Sequence, residues 1–170
     1  MIKIDTSSLV MIAKLDYWDV VQKLYNELII TQGVWEEAVE EGKKRGKPDA
    51  FIIEKKITEN KITIHPSKQN YPDMKLGKGE IETIYEAIDE SVPAMIEEIK
   101  PRVIGSNLGL EVTYLPLVFI KAYLETIWTE QEYDDALQKY TVHMSPSAEQ
   151  VILFRNIKDI IKKSRASNND

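Results

Sequence analysis

Asp5, Glu36, Glu37, Glu80, Glu97 and Glu98 are the residues of this chain whose type and spacing could do chemistry. Each falls where a short apolar run ends or a helical pattern begins. If those runs are parallel strands of one sheet, their carboxyl ends all finish on one edge, and ligands of such sheets sit outside that edge. The carboxylates then converge on one pocket. Carboxylates forced together repel unless they are protonated or neutralised by a cation. Oxygen-only ligands select hard cations, so Mg²⁺ or Mn²⁺ is the expected guest. A site of that kind can polarise a phosphodiester and make a nucleophile of water.

The elements that must position these groups can be read in order. Ile2 and Ile4 alternate with Lys3, and the run stops on Asp5. That spacing predicts a strand over Met1–Ile4 with a carboxylate at its end. Thr6, Ser7 and Ser8 have the side chains of helix N-caps, and an apolar helical run follows them. A second helix is expected over Tyr17–Glu27, and a strand over Leu28–Ile30. The helix Val34–Lys43 carries Glu36 and Glu37 in its first turn, where acids suit the helix dipole. A further helical piece spans Ala50–Thr58, and Lys61–His65 alternates as a strand. Pro66–Lys78 is a polar connection. Glu80 opens the helix that runs to Ile88. Val92–Ile96 has the length and composition of a buried parallel strand and ends at Glu97 and Glu98. A helix over Arg102–Leu108, closed by Gly109, leads to a last strand, Leu110–Thr113. The remainder is helical: Leu115–Trp128, then Thr129–Tyr140 with Thr129 and Glu132 as a capping box, then a helix begun by Ser145 and Pro146 and running to Lys163. Residues 166–170 are expected to fray. Alternating strands and helices predict an α/β fold: a three-layer α/β/α sandwich on a parallel sheet of about four to five strands, with added C-terminal helices.

Composition narrows the classes. The chain has 170 residues and the apolar and charged fractions of a globular protein. It has no cysteine, so neither a disulfide framework nor a thiolate metal site is expected. Its two histidines, His65 and His143, make a histidine-rich zinc site an unfavoured reading. The net charge of -6 argues against a generally basic nucleic-acid binder, but not against a nuclease, whose metal site needs clustered acids. The first residues read as strand, with no basic and apolar leader, and no apolar run is long enough to span a bilayer; a cytoplasmic protein is expected. The run Lys43, Lys44, Arg45, Lys47 is the most basic patch, and with Lys100 and Arg102 it is the candidate for holding the phosphates that an acidic pocket repels.

The order and spacing of several segments resemble the PIN domain family. Ile4-Asp5-Thr6-Ser7-Ser8-Leu9 looks like that family's N-terminal aspartate motif. Gly33-Val34-Trp35-Glu36-Glu37-Ala38-Val39 is similar to the segment supplying its first helical glutamate, here Glu37. Gly77-Lys78-Gly79-Glu80-Ile81-Glu82 and Leu108-Gly109-Leu110-Glu111-Val112 resemble elements of a shorter nucleic-acid-binding branch. The resemblance covers about residues 1 to 140, taken as the PIN-like domain, with residues 141–170 as a helix and tail packed on it. It implies a metal-dependent ribonuclease fold, single-stranded RNA as substrate, an antitoxin protein as partner if the chain is the toxin of a toxin–antitoxin pair, and a homodimer. The apolar helices at Trp18–Leu24 and Leu115–Trp128 point to a dimer as well. It also implies roles. Asp5, Glu37, Glu80 and Glu97 are the catalytic candidates, and Asp5, Glu80, Glu97 and Glu98 the metal-ligand candidates. Two departures stand out. Glu97-Glu98 replaces an Asp-Asp pair, and Tyr114-Leu115-Pro116-Leu117 replaces a turn that usually holds glycine. The Glu97-Glu98 pair favours the competing reading, a catalytically weak PIN-like module that binds RNA or protein, and the altered turn bears on the shape of the pocket rim. A third reading, an aspartyl phosphotransferase built on Asp5, lacks the Asp-x-Asp pattern.

Overall fold

The computed structural model describes residues 1–67, 71–72 and 74–167, with residues 166 and 167 described by their backbone alone. The residues form two compact units, 1–114 and 115–170. Residues 68–70 and 73 of the predicted polar connection, and 168–170 of the predicted tail, lie outside the described residues.

The first unit is built on five parallel strands: β1 (Ile2–Ile4), β2 (Leu28–Thr31), β3 (Thr63–His65), β4 (Ala94–Met95) and β5 (Val112–Thr113). Their order across the sheet is β3-β2-β1-β4-β5. The order reverses at β1, which pairs with β2 on one side (Ile2 with Leu28) and with β4 on the other (Lys3 with Ala94, Ile4 with Met95). Such a switch point opens a crevice at the carboxyl ends of the two strands, here just beyond Ile4 and Met95. Helices lie on both sides of the sheet, which gives the expected sandwich.

β1 and β2 are buried along their whole length, as central parallel strands are. Alternation in β1 therefore does not mark an exposed face, and Lys3 is fully buried. Its ammonium lies 3.2 Å from Glu86 and 3.2 Å from Glu90, both on the helix α6 (Lys78–Glu90), and 3.4 Å from His65 Nδ1. Burying a charge is tolerated only with such partners. These contacts tie β1 and β3 to the helix that carries Glu80.

Two capping expectations change. The N-cap of α1 (Thr6–Leu15) is Asp5 itself: Oδ1 accepts from the Ser8 N–H at 2.8 Å, and the following hydroxyls are left for other work. Ser145 and Pro146 do not start the last helix. Ser145 is the left-handed residue closing α9 (Glu130–Met144), and α10 (Ala148–Ser167) is capped by Ser147, whose hydroxyl accepts from the Gln150 N–H. His143 lies in the last turn of α9. The Thr129–Glu132 capping box forms as predicted. In the second unit α8 (Leu115–Leu124) contributes Phe119 and Tyr123 to a core with Tyr133, Leu137, Tyr140 and Phe154, and the buried Tyr133 hydroxyl donates to the Phe154 carbonyl at 2.9 Å.

Candidate active site

The crevice at the switch point is a cleft of about 400 Å³ lined by Asp5, Thr6, Ser7, Val10, Glu37, Gly77, Glu80 and Glu98. Four carboxylates from four separate segments meet there. Asp5 follows β1. Glu37 lies in a π-helical turn (Glu36–Glu40) that continues the short helix α3 (Gln32–Trp35). Glu80 stands in the first turn of α6, and Glu98 is the N-cap of α7 (Ile99–Asn107), just past β4.

Three of the four carboxylates are held by protein donors. Asp5 Oδ2 accepts from the Ser7 hydroxyl at 2.7 Å. Glu37 accepts on both oxygens, from the Thr6 hydroxyl at 2.6 Å and from the Gly79 N–H at 3.1 Å. Glu80 accepts from the Gly77 N–H at 2.8 Å. Gly79 is required by the close approach: a Cβ there would lie 2.8 Å from Glu37 Oε2, 2.8 Å from Thr6 Oγ1 and 3.0 Å from Val34. Neither hydroxyl nor glycine was assigned to the site from sequence, because Thr6 and Ser7 read equally well as caps and Gly79 as a helix start.

The electrostatics show a shortage of positive charge. Burial raises the Asp5 carboxyl to about 6, against bonds from Ser8 and Ser7 that lower it, and the nearby Glu97 raises it further. Burial also raises Glu80, and the charges of Glu98 and Glu37 add to that rise, while Lys100 opposes it.

The two glutamates after β4 are separated. Glu98 lines the cleft, whereas Glu97 is buried behind it, within electrostatic reach of Asp5. Glu36 leaves the site for an ion pair with Lys78 at 2.5 Å. The basic candidates divide too. Lys43 is bound to Glu54 at 2.8 Å and Arg45 to Glu41 at 2.8 Å, with Lys44 and Lys47 exposed beside them. Lys100 and Arg102 stand at the start of α7 next to Glu98. Lys100 donates to the Lys75 carbonyl at 2.8 Å, and Arg102 stacks on Tyr114.

The all-oxygen donors of the cleft suit a hard divalent cation. Among the described residues, no three Asp, Glu, His or Cys side chains are already gathered on one point as a ligand set. The fit is therefore one of chemistry and charge, with Asp5, Glu80 and Glu98 as the residues that would hold the ion.

With this geometry in place, comparison defines the class. The chain belongs to the PIN domain family: the family model DUF3368, a PIN domain, matches residues 1–155. That places it in a nuclease-type family. A PilT N-terminus domain protein from the hyperthermophilic archaeon Sulfolobus solfataricus P2 is similar in fold, with a TM-score of 0.50 and 17% identity over 69% of this chain and 88% of that one. A domain of a functionally unknown protein from Methanocaldococcus jannaschii has a TM-score of 0.47 and 16% identity over 67% of this chain and 89% of its own. No curated protein matches the chain.

Proposed function

We propose that the chain is a divalent-cation-dependent endoribonuclease acting on single-stranded RNA. The observation that carries this reading is the convergence of Asp5, Glu37, Glu80 and Glu98 on one cleft at the switch point of the sheet. A bound Mg²⁺ or Mn²⁺ would draw charge from the scissile phosphate and ease deprotonation of the attacking water. The chain's own residues do the rest. Asp5, Glu80 and Glu98 hold the ion. Glu37, fixed by Thr6 and Gly79, presents a carboxylate whose direction is set before substrate arrives, and Lys100 supplies positive charge at the rim. The test is cleavage of single-stranded RNA by purified protein in Mn²⁺ or Mg²⁺. The reading expects cleavage that stops with chelator; no cleavage in either ion would overturn it.

The absence of a ready-made ligand set among the described residues favours the second reading, a PIN-like module that binds RNA or protein without efficient cleavage. Protein that binds RNA but does not cut it in any divalent ion would establish that alternative.

Phosphate contact is expected from Lys100 more than from the run Lys43–Lys47, because Lys43 and Arg45 are engaged by acids of neighbouring helical turns. Each phosphate contact contributes about 0.7 to the slope of log affinity against log salt for a single strand. Lys100→Gln should lower that slope by about this amount, and joint neutralisation of Lys43, Lys44, Arg45 and Lys47 should lower it by less per charge removed. A slope unchanged in Lys100→Gln would take this lysine out of the interface.

An antitoxin protein and a homodimer belong to the same proposal. Much of the stripe expected to drive dimerisation is covered within the single chain, since Trp18, Val20, Val21, Val118 and Phe119 are buried, whereas Leu117 and Leu124 are exposed. Light scattering decides the question. Twice the chain mass of 19.6 kDa supports the dimer, and the chain mass itself counts against it. Among the described residues no helix is long and apolar enough to cross a membrane.

A further inference from the structure

Arg102 was a candidate for holding RNA phosphate, but its surroundings assign it other work. It sits one turn into α7, and its side chain leans back toward the helix start, as long helical side chains do. There Nη1 donates to the Glu97 carbonyl at 3.3 Å, and the guanidinium carbon lies over the Tyr114 ring, 3.9 Å from its centroid. Tyr114 follows β5, and Glu97 follows β4. Arg102 thus links the ends of two neighbouring strands at the edge where the cleft opens.

The carbonyl it holds belongs to the peptide between Glu97 and Glu98. Glu98 has extended backbone angles (φ -73°, ψ 140°). Successive side chains of extended backbone point to opposite sides. That is how one of these glutamates is buried beside Asp5 while the other lines the cleft. A turn of this peptide would change which carboxylate the cleft receives.

We propose that Arg102, braced on the Tyr114 ring, is a positioning residue that fixes the Glu97–Glu98 peptide and thereby sets Glu98 into the cleft. The proposal deepens the nuclease reading and rests on it for its catalytic consequence. Its structural content stands apart from that reading. Arg102 suits the task because its planar fork can stack and donate at once, which a lysine cannot do. A stacked cation–ring pair holds the fork in place.

The test uses Arg102→Lys, Tyr114→Leu and Tyr114→Phe in the full chain, with three measurements. Hydrogen exchange of a peptide covering residues 96–103 should speed up in Arg102→Lys and Tyr114→Leu and stay at the parental rate in Tyr114→Phe, whether or not the protein binds a cation. The apparent Mn²⁺ dissociation constant from thermal shift should weaken by about tenfold to a hundredfold in the first two variants, the range for groups that orient metal ligands. In RNA cleavage, kcat should fall by about the same factor with KM unchanged. Joining Arg102→Lys to Tyr114→Leu should add little to either alone, because both remove one brace. Parental exchange in Arg102→Lys together with a lower salt slope of RNA binding would overturn the proposal and make Arg102 a phosphate contact. A parent without cleavage or Mn²⁺ response would defeat the nuclease reading, and the exchange measurement would then decide the brace alone.

Discussion

Asp5→Asn is expected to melt above the parent in chelator, by about 6–12 °C near neutral pH, and to lose more than about a hundredfold of metal-dependent RNA cleavage. The two effects share one cause. Asp5 is fully buried, and desolvation lifts its carboxyl to about 6 from the usual aspartate value of 3.8. A carboxyl raised in the folded state binds a proton on folding between those two values. Its contribution to stability therefore falls as pH rises from the unfolded value through the folded one, and levels off above it. At neutral pH the charged carboxylate opposes folding by about 3 kcal/mol, taking roughly 1.4 kcal/mol per unit. Asparagine removes that charge and its repulsion with Glu97, and it remains a good N-cap for α1. The gain over the parent should shrink as pH falls from about 6 and vanish below roughly pH 3, where Asp5 is protonated in both the folded and the unfolded state. Thermal melts of both proteins across this range check the sign. A variant that melts below the parent at neutral pH in chelator would contradict the account of Asp5 as an uncompensated buried charge.

Gly79→Ala is expected to lower stability by about 1–3 kcal/mol and cleavage by about a hundredfold. Alanine in the first turn of α6 would by propensity stabilise the helix by roughly 0.5–1 kcal/mol relative to glycine. Space decides otherwise. The new methyl would stand 2.8 Å from both the Glu37 carboxylate and the Thr6 hydroxyl, and 3.0 Å from Val34. Glu37 can swing away only by breaking its bonds to Thr6 and to the Gly79 N–H. Either α6 shifts or Glu37 loses its fixed direction, and a displacement of about 1 Å at a reacting group can cost a hundredfold in rate. Melting and single-turnover cleavage of the variant check this. An alanine variant as stable and as active as the parent would show that Glu37 needs no fixed seat.

Much of this arrangement was legible in the residues. The apolar runs marked all five strands, and carboxylates at strand ends and helix starts pointed to one edge of the sheet. The positions that misled have physical reasons. Alternation around Lys3 marked the strand but not its burial: a central parallel strand has no exposed face, so its partners Glu86 and Glu90 had to come from a helix more than eighty residues away. Glu97 and Glu98 are adjacent on extended backbone, so sequence alone cannot say which side of the strand end faces the cleft. Glu36 and Glu37 are neighbours on a helix whose π turn alters the phase on which side-chain direction depends. The family resemblance selected Glu37, and the structure places Glu37 in the cleft and Glu36 on Lys78. Thr6 and Ser7 read as caps because the same hydroxyl can accept from a backbone N–H or donate to a carboxylate. Only the finding that Asp5 already caps α1 releases their hydroxyls.

The claim that the acidic cleft is a working cation site is tested most directly by the Mn²⁺ response of the parent and of Asp5→Asn in the same thermal-melt series. A cation that binds only the folded state stabilises it by about 2.7 kcal/mol at a hundredfold excess over its dissociation constant. The parental melting temperature should rise clearly with Mn²⁺ and fall back with chelator, and Asp5→Asn should show little rise from its higher starting point. A parent that melts at one temperature with and without Mn²⁺, or an Asp5→Asn protein that responds as fully as the parent, would contradict this claim.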